Sequence, residues 1–451
     1  MDDDRFDPRG FAAFRVVDRN FDKDSRTLTL EYALDDAEVF VETGTFETPT
    51  ATSGLGDAAG FERSLLHLHI AAGTSYYKTA APPVVSVEGT SLTPGEIAFH
   101  HHLYDQGLRE FAVRNGLPVP RPVAIRAELA RTDAEPARSK PADAGLVVPI
   151  GGGKDSALLA HALAPLRPRL LAVNPHPVVL ELADALGLEL IVVRRQLSSR
   201  LAVLNERGAR NGHVPITAII SLIAVTGSFL YGYGSIAMAI ERSASEESRF
   251  VDGVPVNHQY SKTLEFERLL QDLIARSVDP SLTYGSALRP YSELRIARAF
   301  APLTGLHPTF CSCNQVFRHS AHPDDRWCGD CAKCRFVALV LAPFLGRRAV
   351  AEIIGRDLFD DQGQIAGFAE LMSPDDKPFE CVGERRESAA AFWLLARQSE
   401  FRESAVVAAL APRAEELVGE DDVHDVLEPL PGPSYPDPAV AAAVDEALAQ
   451  R

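Results

Sequence analysis

Leu146-Val147-Val148-Pro149-Ile150 is a short apolar run that ends in three successive glycines, Gly151, Gly152 and Gly153. Lys154-Asp155-Ser156 and an apolar helical stretch from Ala157 to Leu163 follow at once. A strand that must turn directly into a helix leaves few choices of fold. The glycines let the backbone turn sharply and bring its N–H groups close to an anion. The helix points its positive end at the same place. The run therefore predicts a phosphate cradle. It is not a Walker A loop, because Asp155 follows the lysine and Val148 stands where the earlier glycine would be.

Around this loop the pattern alternates. Leu146 to Ile150, Leu170 to Val173, Leu188 to Val193 and Ser235 to Ile240 are apolar strand candidates with helical patterns between them. Residues 145–345 thus predict an α/β domain with a parallel doubly wound sheet, whose ligands bind beyond the carboxyl ends of the strands. Residues 1–140 predict an α+β domain. There Phe14 to Val17 and Thr27 to Tyr32 alternate like strands, and Asn20 to Ser25 reads as their hairpin loop. His100-His101-His102 precedes an expected helix through Arg114; neighbours on a helix do not share a face, so a helix start is expected rather than a metal group. Ala130 to Ala144 reads as a linker. Residues 346–451 are expected to be mostly helical, with an Ala-rich helix from Glu387 to Leu410. A Pro-rich linker at 429–438 should precede a short terminal helix.

Charge narrows the function. The 451 residues carry 45 basic and 62 acidic side chains, a net charge of −17. Such a surface argues against bulk nucleic-acid or anionic-membrane binding. Val214 to Ile240 holds no charged residue and has the length to cross a bilayer. Pro215, the Gly232-Tyr233-Gly234 break and scattered hydroxyls instead predict a buried helix from Ile216 to Tyr231 and a strand after it. Met1-Asp2-Asp3-Asp4-Arg5 has no basic n-region and no apolar h-region, so a cytoplasmic location is expected.

Polar clusters stand at expected strand ends: Asn205 to Pro215, Glu241 to Glu246, and Asn257 to Lys262. Arg207, Arg210 and Arg242 have the chemistry to hold phosphates bidentately, and His213 and His258 are the histidines of these clusters. Separately, Cys313, Cys328, Cys331 and Cys334 are spaced C-x14-C-x2-C-x2-C, with Cys311 as a spare. Four thiolates at such spacing can close a tetrahedral zinc site, and reduced cysteines lining a cleft are the alternative.

The Gly151–Ser156 loop resembles the S-G-G-x-D-S signature of the PP-loop ATP pyrophosphatases, with Gly151 in place of the first serine. The central region, with its polar V-P turn and late cysteine group, is similar to the PP-loop enzymes that make 7-cyano-7-deazaguanine. A longer set of stretches resembles the MurL-type UDP-N-acetylmuramoyl-L-alanyl-L-glutamate epimerases. It runs from Gly73-Thr74-Ser75-Tyr76-Tyr77-Lys78 and Phe111 to Leu117 through Asn211-Gly212-His213-Val214-Pro215 and Glu241 to Ser245. It continues through Val256 to Gln259, Arg289-Pro290, Ser292-Glu293-Leu294, Ser312-Cys313-Asn314, Trp327 to Cys334 and Lys377 to Glu384. Departures are Cys311, where those proteins tend to have serine, and the apolar Ile219-Ile220.

That resemblance implies an enzyme taking UDP-MurNAc-L-Ala-L-Glu, ATP and Mg²⁺, and returning the D-Glu epimer with AMP and pyrophosphate for peptidoglycan synthesis. On this expectation Gly151, Gly152, Gly153 and Ser156 hold the pyrophosphate, Lys154 and Arg242 counter its charge, and Asp155 helps place the magnesium. His213, His258, Lys262 and Cys381 are the proton-transfer candidates. Tyr76, Tyr77, Lys78, Arg207, Arg210, Asn211, Glu241, Ser243, Asn257 and Arg289 are expected to meet the substrate. Two alternatives stand beside it: a PP-loop ligase or amidating enzyme acting on another carboxylate, such as a deazapurine, and a non-catalytic nucleotide-binding scaffold.

Overall fold

The computed structural model describes residues 5–47, 58–130, 145–317, 326–373, 377–431 and 434–449. The strands are β1 (Ala13–Asp22), β2 (Thr27–Leu34), β3 (Glu38–Phe46), β4 (Val84–Leu92), β5 (Ala124–Leu129), β6 (Gly145–Pro149), β7 (Arg169–Val173), β8 (Leu190–Gln196), β9 (Tyr233–Met238), β10 (Arg249–Val251), β11 (Val254–Val256) and β12 (Thr283–Ser286). Ten of them form one sheet in the order β12-β9-β6-β7-β8-β3-β2-β1-β4-β5, and β10 and β11 pair separately. β6 and β9 run parallel, as do β1 with β4 and β4 with β5. β1-β2-β3 is an antiparallel meander, and β3 joins β8 antiparallel. The four expected strands of the central region are all present. The strand order turns back at β6, which has β7 on one side and β9 on the other.

The chain divides into two compact units. The first is Met1–Val147, Ile191–Ile236 and Val251–Tyr284; the second is Val148–Leu190, Ala237–Phe250 and Gly285–Arg451. The first unit packs Phe14, Tyr32, Phe40, Tyr76, Tyr77 and Tyr104 into a fully buried aromatic cluster. The charge-free stretch resolves as expected into the buried helix Ile216–Tyr231, closed by Gly232 in the left-handed conformation, and strand β9. Among the described residues no helix is long and apolar enough to cross a membrane.

Other expectations need correction. The hairpin loop is shorter than residues 20–25, because β1 continues to Asp22 and pairs it with Thr27. His100, His101 and His102 lie inside the helix Pro94–Asp105, whose start is set by Thr93 and Glu96 in a capping box. His100 is buried there against His67. Glu387 to Leu410 is two helices, Arg385–Leu395 and Ala405–Leu417. The chain turns between them so that Phe401 can bury completely, and the Ser404 hydroxyl bonds the Phe401 carbonyl at 2.7 Å. The Pro-rich stretch is docked: Leu430 N–H donates to Pro290 O at 2.9 Å and Tyr435 is buried. The terminal helix Pro438–Ala449 buries Val440, Val444 and Leu448, one apolar stripe at helical spacing. The expected linker lies outside the described residues except for Ala130.

Gly227 shows how closely the buried helix fits. A Cβ there would run into the Tyr233 hydroxyl, which is held by Ala224 O at 2.5 Å on a buried ring. Gly227→Ala should therefore destabilise by about 1–3 kcal/mol through overpacking. Adding Tyr233→Phe removes the obstacle and should restore most of the loss, as read by chemical denaturation. Equal instability of the single and double variants would refute this contact.

Candidate functional site

The glycine loop is built by its neighbours. Val147 and Val148 of β6 are fully buried, and Ile150 N–H still bonds Leu171 O at 2.8 Å before the chain turns. Gly152 has φ +88, a conformation that L side chains rarely adopt, and a Cβ there would press on Val179 at 3.2 Å. A Cβ on Gly153 would sit 3.0 Å from Ser312 Oγ, whereas over Gly151 there is open space. The helix Lys154–Ala162 starts directly at Gly153. Glu241, Arg242 and Ser243 follow β9, the parallel neighbour of β6, so they lie at the same carboxyl edge as the loop.

Lys154 is fully buried, and its ammonium lies between Asp155 Oδ1 and Glu293 Oε2. Its partners are carboxylates of the chain. Burial pushes its pKa down, and the Asp155 carboxylate opposes that. Lys333 Nζ reaches Glu293 Oε1 at 3.5 Å. Behind them Glu387, also fully buried, accepts the backbone N–H of Glu293 at 2.8 Å and of Glu384 at 2.7 Å. Burial pushes Glu387 well above the usual carboxylate range and raises Glu384 as well, against the pull of Arg242. Arg242 Nε stands 3.5 Å from Glu384 Oε1. Arg289 Nη1 donates to Glu241 O at 3.1 Å, and the Ser243 hydroxyl to Glu241 Oε1 at 3.0 Å. Sequence reasoning did not assign Glu293, Lys333, Glu384 or Glu387. Glu293 and Glu384 lay within stretches already singled out by resemblance, and Lys333 within the cysteine run.

Nearby, the sulfur atoms of Cys313, Cys328, Cys331 and Cys334 all lie within 4.8 Å of one another, a set able to hold a metal ion. Cys311 stands outside it; its thiol donates to Arg326 O at 2.6 Å, and burial pushes its pKa up to about 12. Cys381 is half-buried in the same unit, on the segment before the helix Arg385–Leu395.

In the first unit the structure brings His213 and His258 together, with ring centroids 4.3 Å apart. His258 Nδ1 bonds Glu110 Oε2, and Glu110 also accepts from Arg114 Nε at 2.7 Å. An ionised carboxylate only accepts, so His258 carries a proton on Nδ1. Burial alone would raise Glu110, but the hydrogen bond from His258 outweighs it and its pKa falls. Burial, then the charge of His258, holds His213 down at about 3. The loop carrying His213 is pinned from two sides. Lys78 Nζ donates to Asn211 Oδ1 at 2.6 Å and Gly212 O at 3.3 Å, and Asn115 Nδ2 donates to Asn211 O at 3.0 Å. Lys262 lies near enough for its charge to lower His213 further, and its Nζ donates to Gln259 Oε1 at 3.2 Å. Glu110 was missed: nothing in sequence marks the partner of a histidine 148 residues away.

Tyr76 and Tyr77, expected to meet substrate, are instead at zero exposure. Their hydroxyls donate to Glu42 Oε2 at 2.8 Å and Pro82 O at 3.0 Å, so they shape the core beneath Lys78. Arg210 donates to Ala80 O, which ties it to the same segment. Arg207 ends the helix Ser199–Glu206, and Asn257 Oδ1 accepts from Gln259 N–H at 2.6 Å.

Comparison with known proteins adds the lineage. The profile of the MurL N-terminal domain matches residues 5–287, and that of the MurL C-terminal domain matches residues 309–425. The chain is 39% identical over 434 residues to the UDP-N-acetyl-alpha-D-muramoyl-L-alanyl-L-glutamate epimerase of Salinispora tropica, covering 95% of this chain and 94% of that protein. It is 39% identical to the protein of the same name from a Micromonospora species, covering 97% and 98%, and 38% identical to that of Xanthomonas oryzae pv. oryzae, covering 89% and 90%. No solved structure gives a significant match. With two domain profiles and near full-length similarity in agreement, the chain belongs to the MurL epimerase family.

Proposed function

We propose that this chain inverts the α-carbon of the terminal L-glutamyl residue of UDP-MurNAc-L-Ala-L-Glu after ATP has activated its carboxylate. The substrate is supported by the names of relatives alike over nearly the whole chain. The route is supported by the glycine loop at the turning point of the sheet order, where doubly wound folds of the PP-loop kind bind nucleotides. An ionised carboxylate makes the neighbouring α-proton very weakly acidic, because the carbanion would sit beside a negative charge. Attack of the carboxylate on the α-phosphorus of ATP expels pyrophosphate and leaves an acyl-adenylate without that charge. The α-proton then leaves to a base and one returns on the opposite face. Water cleaves the acyl-adenylate, giving the D-glutamyl carboxylate and AMP.

The assignments follow from chemistry. Loop residues Gly151, Gly152, Gly153 and Ser156 are the candidates for the phosphates, with Arg242 as the cation. Asp155 fits a magnesium ligand, since its side chain keeps 19% exposure while Lys154 keeps 1%; bound there with phosphate oxygens, the ion would neutralise their charge. His258 and His213 are the proton-transfer candidates, set ring against ring beside Glu110. Glu110 is a positioning residue that fixes the tautomer of His258.

Incubation with ATP, Mg²⁺ and UDP-MurNAc-L-Ala-L-Glu in deuterated water tests this. AMP with an α-deuterated D-glutamyl product is expected; AMP without inversion would replace the epimerase with a ligase, and no AMP would remove the adenylation. Glu110→Gln should slow deuterium uptake roughly 10–100-fold while AMP formation persists. Equal loss of both would assign Glu110 to folding or to adenylation. Gly152→Val should abolish AMP formation, because its φ and the Val179 contact forbid the side chain; unchanged AMP release would exclude the loop from nucleotide chemistry.

A further inference from the structure

The four clustered cysteines have a geometry of their own. Cys331 Sγ is 3.5 Å from Cys334 Sγ, and Cys328 Sγ is 3.8 Å from it. A disulfide would need about 2.05 Å. With zinc–sulfur bonds of about 2.3 Å, a tetrahedron has edges of about 3.8 Å, so these separations fit sulfurs gathered around one ion. Backbone N–H groups are aimed at the sulfurs: Cys328 donates to Cys313 at 3.4 Å, Asp330 and Cys331 to Cys328 at 3.4 and 3.3 Å, and Cys334 to Cys331 at 3.4 Å. Such donors stabilise thiolate charge. Four thiolates around a divalent ion leave a net negative charge, and Lys333 stands inside the knuckle while Arg356 bonds Gly329 O.

We infer that Cys313, Cys328, Cys331 and Cys334 hold a structural zinc ion whose task is to anchor the glycine loop. The anchor works through three contacts. Cys311 N–H donates to Gly152 O at 2.8 Å, which fastens the loop to the strand of chain that carries Cys313. Ser312 Oγ lies against the α-carbon of Gly153, where a Cβ would come within 3.0 Å. Lys333, between Cys331 and Cys334, shares Glu293 with Lys154, the first residue of the loop's helix. The ion fixes Cys313 relative to the knuckle, so the loop's carbonyl and its lysine are both held from one metal centre. Four sulfur ligands close the coordination shell, so the ion holds structure and leaves no position for substrate.

The test uses the full-length protein purified without chelator, and none of its readings passes through epimerisation. Elemental analysis should find one zinc per chain, lowered about tenfold or more by Cys334→Ser and kept by Cys311→Ser, whose sulfur is not a ligand. Stripping the wild-type protein with a chelator should speed hydrogen exchange of residues 150–156 about tenfold or more, while the helix Ala405–Leu417 of the same unit stays protected. That helix reports whether the fold survives, so a variant that merely unfolds is recognised. Wild-type protein without zinc, or zinc retained in Cys334→Ser, overturns the site. Zinc removal with unchanged exchange in the loop overturns the anchoring.

Discussion

Burying the ammonium of Lys154 is the demand around which the second unit is arranged. A charge at zero exposure is tolerated only with paired, hydrogen-bonded partners. Asp155 answers it from the next residue, but Glu293 must come from a helix 139 residues away. Glu293 is in turn held by Lys333 at one oxygen and by Glu387 through its own backbone N–H. One lysine thus recruits the helices Lys154–Ala162, Glu293–Phe300, Ala332–Leu345 and Arg385–Leu395 around the end of β6. Removing a single partner would strand a buried charge, which is far costlier than losing a surface pair. The arrangement leaves the glycine backbone, rather than the lysine, as the part of the loop facing open space at Gly151.

The first unit solves a related problem with neutral groups. Two imidazoles in contact cannot both be protonated cheaply, and burial decides which yields: His213 stays neutral down to about pH 3. Glu110 bonds His258 directly, and its charge also pulls against the burial that holds His213 down. Two histidines in contact, one bonded to a carboxylate and the other buried, are the arrangement on which the proton-transfer proposal rests. The loop that carries His213 needs to be stiff for this, and Lys78 and Asn115 supply the stiffness by bonding Asn211 and Gly212.

Local signals were legible in the sequence and distant pairings were not. The apolar run and three glycines located β6, its turn and its helix, because each depends on residues adjacent in the chain. The charge-free stretch gave its helix to the residue, since Pro215 and Gly232 punctuate both ends. Glu110, Glu293 and Glu387 look like ordinary helix carboxylates in sequence, and only folding sets them beside His258, Lys154 and one another's backbone. Tyr76 and Tyr77 misled for the opposite reason: a polar-looking T-S-Y-Y-K string hides two rings whose hydroxyls are satisfied inside the core. The Ala-rich stretch looked like one helix because helix propensity is local, whereas the break at Phe401 is imposed by a pocket formed from Phe359 and its neighbours.

These considerations also separate what the cysteines do from what the lysine does. A buried ion pair specifies position poorly if its backbone can drift, because several rotamers of a long side chain reach the same carboxylate. The loop's carbonyl at Gly152 is therefore held by a main-chain bond from Cys311, which has no rotamers to exchange. That bond is only as fixed as the segment donating it, and Cys313, two residues on, is the point where this segment meets the Cys328–Cys334 turn. Without a bond at the Cys313 sulfur the segment is fastened to that turn by an N–H···S contact of 3.4 Å, by the Cys311 thiol on Arg326 O at 2.6 Å and by packing. The zinc ion inferred at this junction would supply the rigidity that the glycines, with their freedom of φ, cannot supply themselves.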